Sequence, residues 1–167
     1  MFTQENSILN NPAIKAGIKI ITVPDDRWKR RDIKTTQLLA QSIAKSSAVQ
    51  KGLDDSLLVQ DGFINEGSSS NAFIIKDDHI YTPSLSNFIL GGITRSTVIE
   101  FCKTKNIQIK EQKIHVDDVM DAQEVFLTSA TGFVIPVIEI DGRPVGDGSV
   151  GDKVKDCLLY TSPSPRD

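Results

Sequence analysis

The sequence predicts an α+β protein built on a mixed sheet. Short runs rich in β-branched and aromatic residues recur along the chain, each bounded by Gly, Pro, Asn or Asp. Few stretches carry apolar residues at helical spacing. Those few cannot alternate with the strands, which argues against a doubly wound βαβ sheet.

GIKIITV (17–23) is β-branched and closed by Pro24-Asp25-Asp26, so it reads as a buried strand. From Thr35, the residues Leu38, Leu39, Ile43, Ala44 and Ala48 fall at helical spacing, with Gly52 as the stop. SLLVQ, FINE and NAFIIK read as strands, with Gly62 as a turn and Asp77-Asp78 turning the chain into HIYTP. SNFILGGITRSTVIEFCKTKN passes from loop to helix near Thr94. NIQIKEQKI alternates like a strand, VDDVMDA reads as a short helix, and EVFLTSA as another strand. GFVIPVIEIDGRPVG is a strand, a turn at Asp141-Gly142 and a short return. There is no internal repeat.

At 167 residues the chain can bury a core without disulfides or metal. A net charge of −3 argues against a general nucleic-acid binder. No apolar run approaches the roughly 20 residues of a membrane helix. Two cysteines and two histidines make no convincing zinc site, and the expected compartment is a reducing cytoplasm.

Four places could carry chemistry, and each alone has an ordinary explanation. RWKRRDIKTTQLL packs five cations into the eight residues 27–34, ending on Lys34. EGSSSN holds Glu66 in a loop-like composition. GGITR sets two glycines before a helix start, where backbone N–H groups and the helix dipole favour an anion. TSAT (128–131) ends a strand on small hydroxyl residues. Neither turn is a nucleotide fingerprint. Together, a lysine, an isolated acid and two anion-ready turns are the parts needed to hold pyridoxal phosphate: an amine for the aldehyde, a carboxylate for the pyridine nitrogen, and amides for the phosphate.

The wording of these segments also resembles the class IV (fold-type IV) aminotransferases. ITVPDDRWKRRDIKTTQLL is similar to the family's segment around its Schiff-base lysine, which maps that role to Lys34. DGFINEGSSSNAFIIKDDHIYTP resembles the segment whose glutamate pairs with the pyridine nitrogen, here Glu66. ILGGITRSTVIE resembles the phosphate cup, mapping amides to Ile93 and Thr94 and placing Leu90 against the cofactor ring. EVFLTSATGFVIPV resembles the second phosphate turn, with Ala130 where many members have threonine, and Ser129 or Thr131 able to supply a hydroxyl. The resemblance runs from about Gly17 to Lys155.

It implies the large, C-terminal domain of the family fold, a mixed sheet or pseudo-barrel, over residues 17–156. Lys34 would hold the cofactor and then move the α-proton, its neutral form favoured by burial and by Arg27, Lys29, Arg30 and Arg31. Arg27 would reach the site or pair with Asp32 or Glu66, and Arg30 and Arg31 would face the surface or a partner. Within the family the wording favours the branch acting on D-amino acids, with D-alanine and 2-oxoglutarate as substrates. Branched-chain aminotransferases and aminodeoxychorismate lyases are the alternatives. A homodimer is implied, with substrate groups supplied across its interface.

The two ends read differently from the middle. Residues 1–16 are expected to be the end of a smaller preceding domain, or the linker from it. That domain would bring a phosphate-binding arginine, a tyrosine and the groups that grip the substrate carboxylate. CLLYTSPSPRD (157–167) resembles a translated sequencing-library adapter and is set aside from the fold. Two readings of another class stay open: an inactive fragment, and a module gripping a polyanion with residues 27–34.

Overall fold

The computed structural model describes residues 12–161. Residues 1–11, expected to belong to the preceding domain or linker, and 162–167 of the adapter-like tail lie outside the described residues.

Helix α1 (Pro12–Ala16) leads into β1 (Ile18–Pro24), and α2 (Leu39–Val49) follows a long irregular segment. Then come β2 (Asp55–Gln60), β3 (Phe63–Gly67), β4 (Asn71–Lys76) and β5 (His79–Thr82). Helix α3 (Ile93–Thr104) precedes β6 (Ile109–Glu111), β7 (Ile114–His115), α4 (Val116–Met120) and β8 (Glu124–Ser129). β9 (Phe133–Ile140), β10 (Arg143–Pro144) and α5 (Asp152–Thr161) close the described chain. The strands form one mixed sheet in the order β6-β5-β4-β8-β9-β1-β2-β3-β7, with β10 on β9. β1 is parallel to both neighbours, and β5 to β6; the other pairs are antiparallel. The architecture is α+β, and most strand runs read from the sequence match these elements; NIQIKEQKI, read as one strand, is instead split into β6 and β7, which pair with β5 and β3 at opposite edges of the sheet.

β4 and β8 are buried nearly throughout because the sheet is covered on both faces there. In β4, Ala72 and Ile74 point into one cluster with Ile20, Leu57, Leu127 and Val137. Phe73 and Ile75 point into the other with Phe126, Val98 and Phe101. Phe73 and Phe126 stack with ring centroids 4.7 Å apart across the β4–β8 pair. The β4–β5 hairpin turns on Asp77 and Asp78 with φ of 50° and 62°, the left-handed pair that a two-residue turn demands.

Two expectations are corrected. The helix after Lys34 starts at Leu39, not Thr35. The Thr35 hydroxyl accepts from the Gln37 amide and Leu38 N–H donates to the Thr36 carbonyl, so a local turn replaces the first helical turn. At the other end, α5 continues through residues 157–161, which were set aside. Val154, Cys157 and Leu158, at i, i+3 and i+4, form one stripe that packs against α3. Burial pushes the Cys102 thiol up to about 11 and the Cys157 thiol to about 12, so both stay protonated at neutral pH. Among the described residues no helix is long and apolar enough to cross a membrane.

Candidate functional site

Lys34, Glu66, Leu90, Ile93, Thr94, Ser129, Ala130 and Thr131 come from four separate stretches of chain, and all eight line one cleft of about 510 Å³. The sheet explains the convergence. The segment after β1, the end of β3, the start of α3 and the β8–β9 turn meet where β4 and β8 run side by side, with Asn71 opposite Thr128.

The Lys34 segment has no regular secondary structure, and arginine fixes it. Arg31 donates through its guanidinium to Gln60 Oε1 at 2.7 Å and to the carbonyls of Asp25 and Arg27 at 3.1 and 2.9 Å. It also lies over the Phe88 ring at 5.0 Å. Its backbone amide donates to the Asn87 carbonyl at 2.8 Å. Arg31 is thus buried, against the expectation of a surface or partner contact, because the irregular backbone supplies acceptors that only a long, multi-donor side chain can reach. Arg30 does lie at the surface, paired with Asp32 at 2.8 Å. Lys34 itself is exposed to solvent, so the burial expected around its amine is not supplied by the described residues.

Glu66 is buried and bonded on both oxygens. Oε1 accepts from Arg27 Nη1, and Oε2 accepts from Asn71 Nδ2 at 3.0 Å and the Leu90 amide at 3.1 Å. Arg27 pairs with Glu66 and Asp25 and not with Asp32. Burial lifts the Glu66 carboxyl above its ordinary value, and Arg27 and the Leu90 amide offset this only in part. Asp25 suffers the same burial, yet Arg27, Asn65 and Arg31 together hold it below the usual carboxylate range.

These opposite shifts set a pH dependence. Glu66 binds its proton more tightly folded than unfolded, so its contribution is full below the ordinary 4.5 and is lost as pH rises through the folded value. Asp25 contributes above the ordinary 3.8, and that contribution is lost as pH falls through its lower folded value. Urea midpoints measured from pH 3 to 8 are therefore expected to decline with rising pH just above the ordinary glutamate range. Glu66→Gln is expected to remove that decline and leave the acid limb; an unchanged profile in the variant would contradict the Glu66 shift.

The two turns are tied together. Thr94 Oγ1 donates to the Ser129 carbonyl at 3.0 Å, and Ser129 Oγ accepts from the Gly132 amide at 2.9 Å. Gly92 is the N-cap of α3 and supplies no side-chain cap, leaving the first-turn amides without intrahelical acceptors. A Cβ at Gly92 would collide with Asn71 Oδ1, so the turn closes this tightly on Asn71 only with glycine.

Sequence reasoning passed over several residues here. Asn71 bridges Glu66, the Leu90 carbonyl and the Gly92 amide. Of the six buried side-chain polar atoms without a partner among the described residues, Arg31 Nε, Gln41 Oε1, Ser70 Oγ and Thr128 Oγ1 belong to residues lining this cleft. Buried polar groups are normally satisfied, so their concentration here marks a site shaped for a polar ligand. Ser70, Asn71 and Thr128 sat inside motifs already singled out; Gln41 and Asp25 had no local signal.

The family model for class IV amino-transferases matches residues 2–140. The D-alanine aminotransferase of Bacillus licheniformis is 39% identical over 139 residues, covering 83% of this chain and 49% of the relative. That of Staphylococcus aureus (strain COL) is 42% identical over 138 residues, with the same shares. The chain spans about half the length of the curated relatives it matches. Among solved structures, a T.th. branched-chain amino acid aminotransferase with pyridoxamine 5′-phosphate superposes with a TM-score of 0.83 at 30% identity, over 94% of this chain and 53% of that one. The Escherichia coli branched-chain enzyme does so with a TM-score of 0.78 at 27% identity, over 90% and 54%.

Proposed function

This chain belongs to the class IV aminotransferases, and on that premise we propose that it is the cofactor-binding half of a pyridoxal phosphate-dependent transaminase acting on D-amino acids, D-alanine foremost, with 2-oxoglutarate as acceptor. The observation that carries the reading is the convergence of Lys34, Glu66 and two anion-ready turns on one cleft.

The residues fit the cofactor. Ser70 and Thr128 hydroxyls and the uncapped start of α3 offer donors to a phosphate, and the buried Glu66 offers an acceptor for a pyridinium N–H. When bound, pyridoxal phosphate supplies an electron sink for the amino acid α-carbon. Lys34 Nζ is assigned to anchor the cofactor and, when released, to carry the α-proton. Glu66 would hold the proton on the ring nitrogen. Leu90 would lie against the ring, and the amides of Ile93, Thr94 and Ala130 with the hydroxyls of Ser129 and Thr131 would take the phosphate. The D-amino acid branch is preferred to the branched-chain one because the D-alanine aminotransferases share about 40% identity with this chain, against 30% for the branched-chain enzyme.

The same proposal makes residues 17–156 a large domain whose smaller companion completes the site, in a cytoplasmic homodimer. The exposed apolar side chains of Leu38, Leu39 and Ile43, beside the cleft, support a further protein surface there.

The test is visible absorbance of the purified chain with pyridoxal phosphate, beside Lys34→Ala. A band lost in the variant is expected, bleached by D-alanine faster than by L-leucine. A band that survives Lys34→Ala would remove Lys34 from its role, and L-leucine acting faster would favour the branched-chain reading. If the wild-type chain gives no band, this half alone does not retain the cofactor.

A further inference from the structure

The most deeply buried charge beside the cleft belongs to a residue without a part in the functional reading. The Asp25 side chain is 0% exposed. It grips Arg27 at two points, Nε donating to Oδ1 and Nη2 to Oδ2, both at 2.8 Å. Asn65 Nδ2 donates to Oδ2 at 2.8 Å, and Arg31 Nη1 lies 3.5 Å away. Only Nη1 of Arg27 is left for Glu66.

That division is unusual on chemical grounds. A guanidinium facing a buried carboxylate favours the two-point, fork-to-fork pair. Here Asp25 occupies the two-point edge and Glu66 receives a single contact. Asp25, Glu66, Arg27 and Arg31 also sum to zero charge, so removing either anion leaves two buried cations on the other. We propose that Asp25 is a positioning residue for Glu66: by taking the two-point edge of Arg27 it leaves Glu66 one N–H, and so keeps that carboxylate free to share a proton with a ligand nitrogen. The inference rests on the reading of Glu66 as the acid facing the cofactor's pyridine nitrogen.

The opposite titration shifts of the two acids on one arginine agree with this division. No other element sets a stronger charge on Glu66. Lys34 lines the same cleft but is solvated; β2 offers neutral Gln60, and Asp55 there is bonded to Ser68 with Lys45 3.8 Å away. The 90–92 turn contributes amides and carbonyls only.

The experiment titrates Glu66 in the cofactor-free full chain labelled with ¹³C at glutamate side-chain carboxyls, its signal assigned by loss in Glu66→Gln. Asp25→Asn is expected to move the Glu66 midpoint down by about one pH unit, a tenfold loss of proton affinity, because Arg27 turns its free edge to the remaining anion. A midpoint that stays or rises would overturn the proposal. Arg27→Lys covers the case in which Asp25→Asn does not fold. A single ammonium cannot serve two edges and stays with Asp25, so the Glu66 midpoint is expected to rise; a fall would overturn the proposal. Pyridoxal phosphate binding that ignores Glu66→Gln, with the midpoint still moving in Asp25→Asn, would sink the cofactor role and leave the coupling of the two acids standing.

Discussion

Arg27→Met is expected to lower folding stability by about 3–5 kcal/mol at pH 7, the range for removing one partner of a buried ion pair. Methionine keeps most of the aliphatic stem, so the loss reports charge and not volume. Arg27 is 6% exposed at its side chain, and both acids it serves are at least as buried. Without it, Asp25 retains Asn65 and Arg31, 3.5 Å away, and Glu66 retains Asn71 and the Leu90 amide, so two buried carboxylates share one cation. Each is then a desolvated carboxylate with too little positive charge nearby, and its proton affinity rises. An acid bound more tightly to its proton in the folded state loses stability as pH rises, so the deficit of the variant should shrink between pH 7 and 5. Urea unfolding at both values checks this. A deficit that is small, or that grows toward acid, would mean the cluster is relieved by solvent.

Asn71→Leu should cost about 3 kcal/mol, since leaving buried partners unsatisfied costs about 1–3 kcal/mol apiece and the losses overlap. Three contacts disappear together: Nδ2 to Glu66 Oε2 at 3.0 Å, Nδ2 to the Leu90 carbonyl at 2.7 Å, and the Gly92 amide to Oδ1 at 3.2 Å. Leucine has the same number and branching of side-chain heavy atoms and keeps the backbone of the β4–β8 ladder, where Asn71 faces Thr128. The damage should therefore be local. Amide hydrogen exchange at Gly92 is expected to accelerate by about tenfold or more beyond the uniform increase that the lower global stability imposes on the β4 amides. Equal acceleration throughout β4 would mean that Asn71 supports the sheet and not the turn.

How much of this was legible beforehand depended on the range of the interaction. The β4–β5 hairpin was readable because Asp77-Asp78 needs only its own backbone to turn. The α3 start was readable from two glycines before an apolar-patterned stretch, and the cleft residues from motifs within a few positions of each other. Arg31 reads as a surface cation because Gln60 becomes its neighbour only after β1 and β2 pair, and because the irregular backbone that turns the Asp25 and Arg27 carbonyls toward it has no sequence signature. Asp25 looked like a strand-ending turn residue for the same reason. Its partner Asn65 is forty positions away. The start of α2 was placed too early because apolar spacing is blind to a threonine hydroxyl capturing the next turn's amide.

The seat of β1 between β2 and β9 bears on how such a chain matures as it is made. One flank of β1 meets β2 once the Lys34 segment and α2 have been made, but the other pairs Ile18 with Val137 and Ile20 with Ile140. On a ribosome the strand that leads into the Lys34 segment must wait, with one edge open, until nearly the whole described sheet has emerged. The lysine is thus delivered early to the nascent chain, and the β8–β9 turn that shares its cleft arrives last.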